Sequence, residues 1–251
     1  MKERHTFYVP HAAETGELPA DEARHAVRAL RMTKGDTLWL LDGEGQQLEA
    51  VVDEVSNKHC SYRIVATQHM QRTWTGYVHL AIAPTKHIDR IEWLLEKATE
   101  IGIDEVTFLR CRFSERTTLR LDRMRNIVVA AMKQSRNAYL PKINDMMPYG
   151  QFVQQQVAQT LTHGNDSATF IAHCYNEQPR QDLHRWLGEH PQCQRLTLMV
   201  GPEGDFATDE VESAVQHGIL PVTLGESRLR TETAALVGHM MMNLHNRITH
   251  A

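Results

Sequence analysis

Two loops in the C-terminal half combine residue types that let a backbone close on a small ligand. In the first, Leu198-Met199-Val200 reads as the end of a short buried strand and runs straight into Gly201-Pro202-Glu203-Gly204-Asp205-Phe206. Glycine has no Cβ, so a ligand atom can approach the main chain closely there. In the second, a strand ends at Leu224-Gly225, and Glu226-Ser227-Arg228-Leu229-Arg230 leads into Thr231-Glu232-Thr233-Ala234, where a helix begins. The free N–H groups of a helix start suit a carboxylate, and Thr231 stands where a cap is expected. Taken singly, the first loop reads better as an ordinary turn, and the second reads also as a routine capped helix. Their occurrence after two neighbouring strands points to a joint site, because ligands of open α/β sheets sit at the carboxyl ends of strands.

Other chemistries find no support. Neither loop carries the GxGxxG of a dinucleotide fold or the GxxxxGK[ST] of a P-loop. The 15 histidines include no HExxH and no Cys/His cluster with zinc spacing, so no metal is expected. Ser114 and Ser135 lack the surroundings of a nucleophile elbow. Charge is the second feature with chemical content. Residues 110–142 hold Arg110, Arg112, Arg116, Arg120, Arg123, Arg125, Lys133, Arg136 and Lys142 against only Glu115 and Asp122, whereas the whole chain has a formal net charge of -4. Binding phosphate needs a local patch rather than a basic protein. The same strip also reads as a solvated helix face.

The elements that must position these residues follow from periodicity. Residues 1–70 read as a small β-rich module: strands at Thr37–Leu41 and Leu48–Val55, and a helix over Asp21–Arg31 with Ala23, Ala26, Val27 and Leu30 as its apolar stripe. Arg24, Arg28 and Arg31 line a neighbouring face of that helix, a cationic edge or simply surface arginines. A polar connector around Gln68–Thr75 precedes a change to alternating strands and helices. Strands are expected at Tyr77–Ala83, Val106–Leu109, Thr169–His173, Leu196–Val200 and Val222–Leu224. Helices are expected over Ile88–Ile101 (stopped by Gly102), 119–137, Gln151–Leu161, Glu210–His217 (capped by Thr208) and Glu232–Asn246. This alternation implies an α/β fold with a parallel sheet covered on both faces. Cys60, Cys111, Cys174 and Cys193 form no CxxC pair and read as reduced thiols of a cytosolic protein. No apolar run is long enough to cross a bilayer, and residues 1–20 lack the apolar core of a signal peptide.

Taken together, the motifs resemble the 16S ribosomal RNA uridine-N3 methyltransferase family (ribosomal RNA small subunit methyltransferase E) of the SPOUT superfamily. Gly201-Pro202-Glu203-Gly204 and Leu224-Gly225…Leu229-Arg230-Thr231-Glu232-Thr233-Ala234 are similar to its paired C-terminal motifs. Arg4…Phe7-Tyr8-Val9 and Glu22…His25…Leu30-Arg31…Lys34-Gly35-Asp36 are similar to its PUA-like N-terminal domain. Lys86…Arg90-Ile91-Glu92…Lys97-Ala98-Thr99-Glu100-Ile101-Gly102 is similar to its first catalytic-domain helix, and Gln134-Ser135 and Pro141 also fit. The chain departs from the family at Arg24, where a histidine is frequent, at Asp205, where a second glycine is common, at Ser227-Arg228, and at Arg136, one place early.

The resemblance implies a PUA-like β-barrel over 1–70 and a SPOUT domain over 71–251 whose C-terminal chain makes a deep trefoil knot. It implies S-adenosylmethionine as cofactor, small-subunit ribosomal RNA or the assembled small subunit as partner, and a homodimer; the lack of a long apolar run adds the expectation of no membrane association. Cofactor contacts are then expected at Met199, Gly201, Pro202, Glu203, Gly204, Leu224, Gly225, Leu229, Arg230, Thr231 and Thr233. RNA contacts are expected at Arg24, His25, Arg28, Arg31, Arg112, Arg116 and Arg136. Arg230 is the candidate for stabilising charge in the reaction, with Arg228 second, and Glu203 or Glu232 could accept a proton or merely cap. A ribose 2′-O methyltransferase of the same superfamily and a non-catalytic RNA-binding protein remain as alternatives.

Overall fold

The computed structural model describes residues 5–175 and 179–249, so Arg4 lies outside the described residues. The chain divides into two compact units, 1–72 with 129–140 and 73–128 with 141–251. Sequence placed the boundary at 70/71 and gave no sign that 129–140 groups with the N-terminal residues.

The first unit holds a four-stranded sheet of β1 (Thr6–Tyr8), β2 (Thr37–Leu41), β3 (Gln46–Val55) and β4 (Cys60–His69), in that order. β2, β3 and β4 are antiparallel, and β1 joins β2 in parallel. Period-two alternation turns Leu38, Leu40, Leu48, Ala50, Val52, Cys60 and Tyr62 into the core. Two short helices follow β1: α1 (Ala12–Thr15) and α2 (Ala20–Arg24). The helix expected over Asp21–Arg31 is therefore shorter than its apolar spacing suggested. Residues His25–Ala29 form a π-helical turn in which Leu30 N–H donates to the His25 carbonyl at 3.2 Å, and Arg31 has a left-handed φ of 52°. Ala23 and Ala26 still reach the core, which is why a 3.6-residue reading could not detect the wider turn.

The second unit is built on seven strands: β5 (Tyr77–Ile82), β6 (Glu105–Arg110), β7 (Lys142–Pro148), β8 (Ser167–Ala172), β9 (Gln181–Asp182), β10 (Arg195–Val200) and β11 (Leu220–Thr223). Their order in the sheet is β7-β6-β5-β10-β8-β11-β9, with every pairing parallel. The helices are α3 (Ile88–Ile101), α4 (Leu121–Ser135, of which residues 129–135 group with the first unit), α5 (Tyr149–His163), α6 (Leu183–Glu189), α7 (Thr208–Gln216) and α8 (Thr231–Thr249). Alternation along the strands splits them between two faces. Ala81, Leu109, Ile171 and Met199 pack with Phe152 and Val153 of α5 and Val211 and Ala214 of α7. The neighbouring residue Leu198 points the other way, against Gly238 of α8. β7, β9 and α6 escape a reading by pattern: β7 is a half-exposed edge strand closed by Pro148, and the other two are short.

Two caps differ from expectation. Thr208 is the first residue of α7, not its cap; Ala207 holds the cap position and Glu210 Oε2 accepts its N–H at 2.9 Å. Thr231 is likewise the first residue of α8, and Ala234 N–H donates to the Arg230 carbonyl at 2.8 Å. Helix α8 also buries polar groups among its apolar ones. His239 Nε2 and Asn243 Nδ2 both meet the Gly102 carbonyl at the end of α3, at 3.0 and 2.7 Å, and His245 Nε2 meets the Cys193 carbonyl at 2.9 Å. These bonds satisfy main-chain oxygens that the packing would otherwise leave buried and unpaired. Among the described residues no helix is long and apolar enough to cross a membrane.

Candidate active-site cleft

Register decides where the loops meet. Val200 pairs with both Ala172 of β8 and Ile82 of β5, and Val222 also pairs with Ala172. The carboxyl ends of β8, β10 and β11 therefore stand level, and the loops that leave them open onto one cleft beside the start of α8. One part, about 300 Å³, is lined by Gly201, Pro202, Glu203 and Asp205, by Arg228 to Glu232, and by Arg90 of α3. A second part, about 510 Å³, is lined by His173, Arg180, Asp182, Leu224, Gly225, Glu226 and Ser227. Ala172, Cys174, Arg228, Leu229 and Ala234 border both parts, so they form one continuous space.

Glycine is required at two points of its wall. A Cβ on Gly201 would lie 3.0 Å from the Phe206 nitrogen and 3.1 Å from the Asp205 carbonyl carbon, backbone atoms that cannot step aside. Gly225 has open space around it but a φ of 126°, which side chains rarely adopt. Asp205 also has a positive φ, 68°, which accounts for a glycine being common there; aspartate tolerates this conformation better than most residues. Its carboxylate accepts N–H bonds from Phe206 and Cys174, both at 2.8 Å.

The charged groups are sorted by partner. Glu203 Oε1 accepts the Lys86 N–H at 2.9 Å, and Glu232 Oε1 lies 3.6 Å from Arg90 Nη1. Among the described residues Arg230 makes no ion pair, so neither Glu203 nor Glu232 is braced by it. Burial pushes the Cys174 thiol up and Asp205 adds to the effect, while burial holds the His173 imidazole below its usual range. Among the described residues no cluster of three or more His, Cys, Asp or Glu could hold a metal ion.

Of the residues singled out in sequence, Gly201, Pro202, Glu203, Leu224, Gly225, Leu229, Arg230 and Thr231 line the cleft. Met199, Gly204 and Thr233 are not among the lining residues: the Met199 side chain is in the core, and Gly204 lies against Phe113 between two lining residues, Glu203 and Asp205. Arg24, His25, Arg28, Arg31 and Arg136 are exposed on the first unit. In the second unit Arg112 pairs with Asp209 at 2.6 Å, and Arg116 donates to the carbonyls of Thr85 and Lys86.

A family model described as an RNA methyltransferase domain matches residues 73–243, which include every residue of this cleft. The chain belongs to this RNA methyltransferase family. A model described as an RNA methyltransferase PUA domain matches residues 18–65. The methyltransferase is 30% identical over 242 residues to a protein of Mycobacterium bovis named ribosomal RNA small subunit methyltransferase E, covering 92% of this chain and 88% of the relative. Its structure is similar to that of a probable rRNA-methyltransferase from Porphyromonas gingivalis, with a TM-score of 0.85 and 38% identity over 97% of this chain and 99% of the other. It is also similar to a structure from Legionella pneumophila described as a methyltransferase in complex with the bound cofactor SAM, with a TM-score of 0.79 and 25% identity over 96% and 98% of the two chains.

Sequence reasoning overlooked the β8 side of the methyltransferase cleft: Ala172, His173, Cys174, Arg180 and Asp182. The strand itself was legible. The available signal was position: His173 and Cys174 stand just beyond the carboxyl end of β8, where the glycine loops stand after β10 and β11.

Proposed function

We propose that the chain transfers a methyl group from S-adenosylmethionine to N3 of a uridine in 16S ribosomal RNA. The observation that carries this reading is the level ending of β8, β10 and β11, which gathers three loops into a cleft whose walls need glycine at Gly201 and Gly225. The relatives' names support its coarser part, methylation of small-subunit ribosomal RNA with S-adenosylmethionine. When bound, the cofactor supplies a methyl made electrophilic by its sulfonium. The main chain around Gly201–Glu203 and Leu224-Gly225 holds it, with Leu229, Arg230 and Thr231 closing the other side; Met199, Gly204 and Thr233 act only through the backbone.

Uridine N3 sits on the pairing edge, so the base enters unpaired. The cleft orients N3 towards the methyl; the imide proton passes to Glu203, Glu232 or solvent, and Arg230 stabilises the negative charge left on the base. Arg228 stands second for that role. Arg24, His25, Arg28 and Arg31 on an N-terminal RNA-binding module over 1–70, and Arg112, Arg116 and Arg136, contact phosphates. The reading includes a trefoil knot within 71–251, as the family resemblance implies. It includes a homodimer, supported by the exposure of Trp93, Met240 and Leu244 on the mutually packed α3 and α8.

Incubation with methyl-labelled cofactor and either unmodified small subunits or their naked RNA, followed by digestion to nucleosides, tests the proposal. Labelled 3-methyluridine is expected. Label in a 2′-O-methyl nucleoside would move the activity to ribose. Absence of cofactor binding would leave an RNA-binding protein.

A further inference from the structure

The turn after β6 presents an aromatic ring to solvent at the rim of the cleft. Phe113 is 48% exposed, unlike the other five phenylalanines, which are all buried in the core. Its turn is braced from both sides. Cys111 N–H donates to Ser114 Oγ at 2.9 Å, and Ser114 N–H donates to the Cys111 carbonyl at 3.2 Å. Arg112 N–H donates to Glu210 Oε1 at 2.9 Å, and Arg116 reaches two carbonyl oxygens at 3.1 and 2.7 Å. The ring thus sits on an ordered support, and little conformational freedom is left to lose when something covers it.

A single exposed apolar side chain needs no explanation by itself. Position and charge give this one a meaning. A Cβ on Gly204 would lie 3.3 Å from Phe113 Cβ and 4.0 Å from its Cδ2, and the flanking residues Glu203 and Asp205 line the cleft. The ring therefore stands next to the loop that forms one cleft wall. Arg116, three residues on in the same turn, directs its two hydrogen bonds to neutral oxygens and makes no ion pair among the described residues. Arg112, the other cation of this turn, is paired with Asp209, so the ring and Arg116 carry the chemistry: an aromatic face with a cation holds single-stranded nucleic acid, since every base offers a π-face.

We propose that Phe113 is a stacking platform for an unpaired nucleobase of the substrate RNA at the mouth of the cleft. It is a positioning residue: it holds the strand and touches no reacting atom. Gly204 keeps the space beside the ring free. The proposal rests on the methyltransferase reading for the identity of the RNA, but the stack can be measured without turnover.

The experiment compares Phe113→Ala, Phe113→Leu and Phe113→Trp in the full chain. Each is titrated with fluorescently labelled small-subunit RNA fragments that are methylated by the wild type, or with naked small-subunit RNA if none are. Cofactor affinity is read by calorimetry. The alanine variant is expected to bind RNA roughly tenfold more weakly, leucine is not expected to restore it, tryptophan is, and cofactor affinity stays at the wild-type level throughout. Wild-type RNA affinity in the leucine variant reduces Phe113 to apolar cover and overturns the platform. So does a loss of cofactor affinity in the alanine variant, which makes the residue a prop for the Gly201–Gly204 loop. If the wild type transfers no methyl yet the variants still divide by aromaticity, the function fails and the platform stands.

Discussion

Asp205 fastens the loop after β10 to the loop after β8: its Oδ2 accepts the Cys174 N–H at 2.8 Å. It does so from a left-handed backbone with φ 68°, while its Oδ1 accepts the Phe206 N–H. Asp205→Asn should tolerate the backbone and keep one of the two accepted bonds, and with its oxygen turned to Cys174 it should lose the least cofactor affinity of the three variants. Asp205→Gly should relieve the backbone but lose the tie, and Asp205→Ala should lose both, at a cost of about 1–3 kcal/mol. Thermal melts and calorimetric titration with S-adenosylmethionine read these effects. An alanine variant equal to wild type in both would leave the tie without consequence.

Gly201 and Gly225 should fail for different reasons. Gly201→Ala drives a Cβ against the Phe206 and Asp205 backbone and should distort the cleft wall, so cofactor affinity falls. Gly225→Ala meets no atom but must hold a φ of 126°, so the loop relaxes and affinity falls along with a modest loss of stability. Far-UV circular dichroism should show both variants folded. Unchanged calorimetric affinity in either would remove that glycine from the site.

Arg230 ends the loop before α8 and makes no ion pair among the described residues, and the carboxylates it could have braced are held by Lys86 and Arg90. If its guanidinium stabilises the forming uridinate, Arg230→Ala should cost roughly 2–4 kcal/mol in single-turnover rate at saturating RNA and cofactor. Lysine should rescue little, because a point charge cannot make two parallel bonds. A wild-type saturated rate in the alanine variant would remove Arg230 from the chemistry.

Joint replacement of Arg24, Arg28 and Arg31 should weaken RNA binding and flatten its salt dependence. The log–log slope should fall by about 0.7–0.9 units for each phosphate these arginines neutralise. Cofactor affinity should stay put. An unchanged slope would exclude this surface.

Burial pushes His79 and His239 down to about 4, so both are neutral in the folded protein near neutrality. The unfolded chain takes up their protons near pH 6.5. Their contribution to stability is therefore complete above about pH 6.5 and falls as pH drops towards 4, by up to about 3 kcal/mol for each. Urea midpoints measured from pH 7 to pH 4.5 should decline. His239→Gln, which can still donate to the Gly102 carbonyl, should flatten that decline. A slope unchanged by this substitution would show that His239 does not titrate with unfolding.

The sequence alone determined most of what local chemistry can encode. Strand periodicity at Leu196–Val200, the helix from Ile88, the parallel α/β class and the two glycine loops were all legible, because burial and backbone freedom act through residue type and spacing. Tertiary structure decided the rest. Nothing in the spacing said that Val200 and Val222 both pair with Ala172, and only that register brings Cys174 and His173 into the cleft. The π turn at His25 and the polar burial of His239 and Asn243 were invisible for a related reason. A hydrogen bond to a main-chain carbonyl 137 residues away leaves no trace in the pattern around the donor. Which helix caps which, and which carboxylate Arg230 leaves to Lys86 or Arg90, is fixed by geometry between distant segments, and that geometry exists only once the chain has folded.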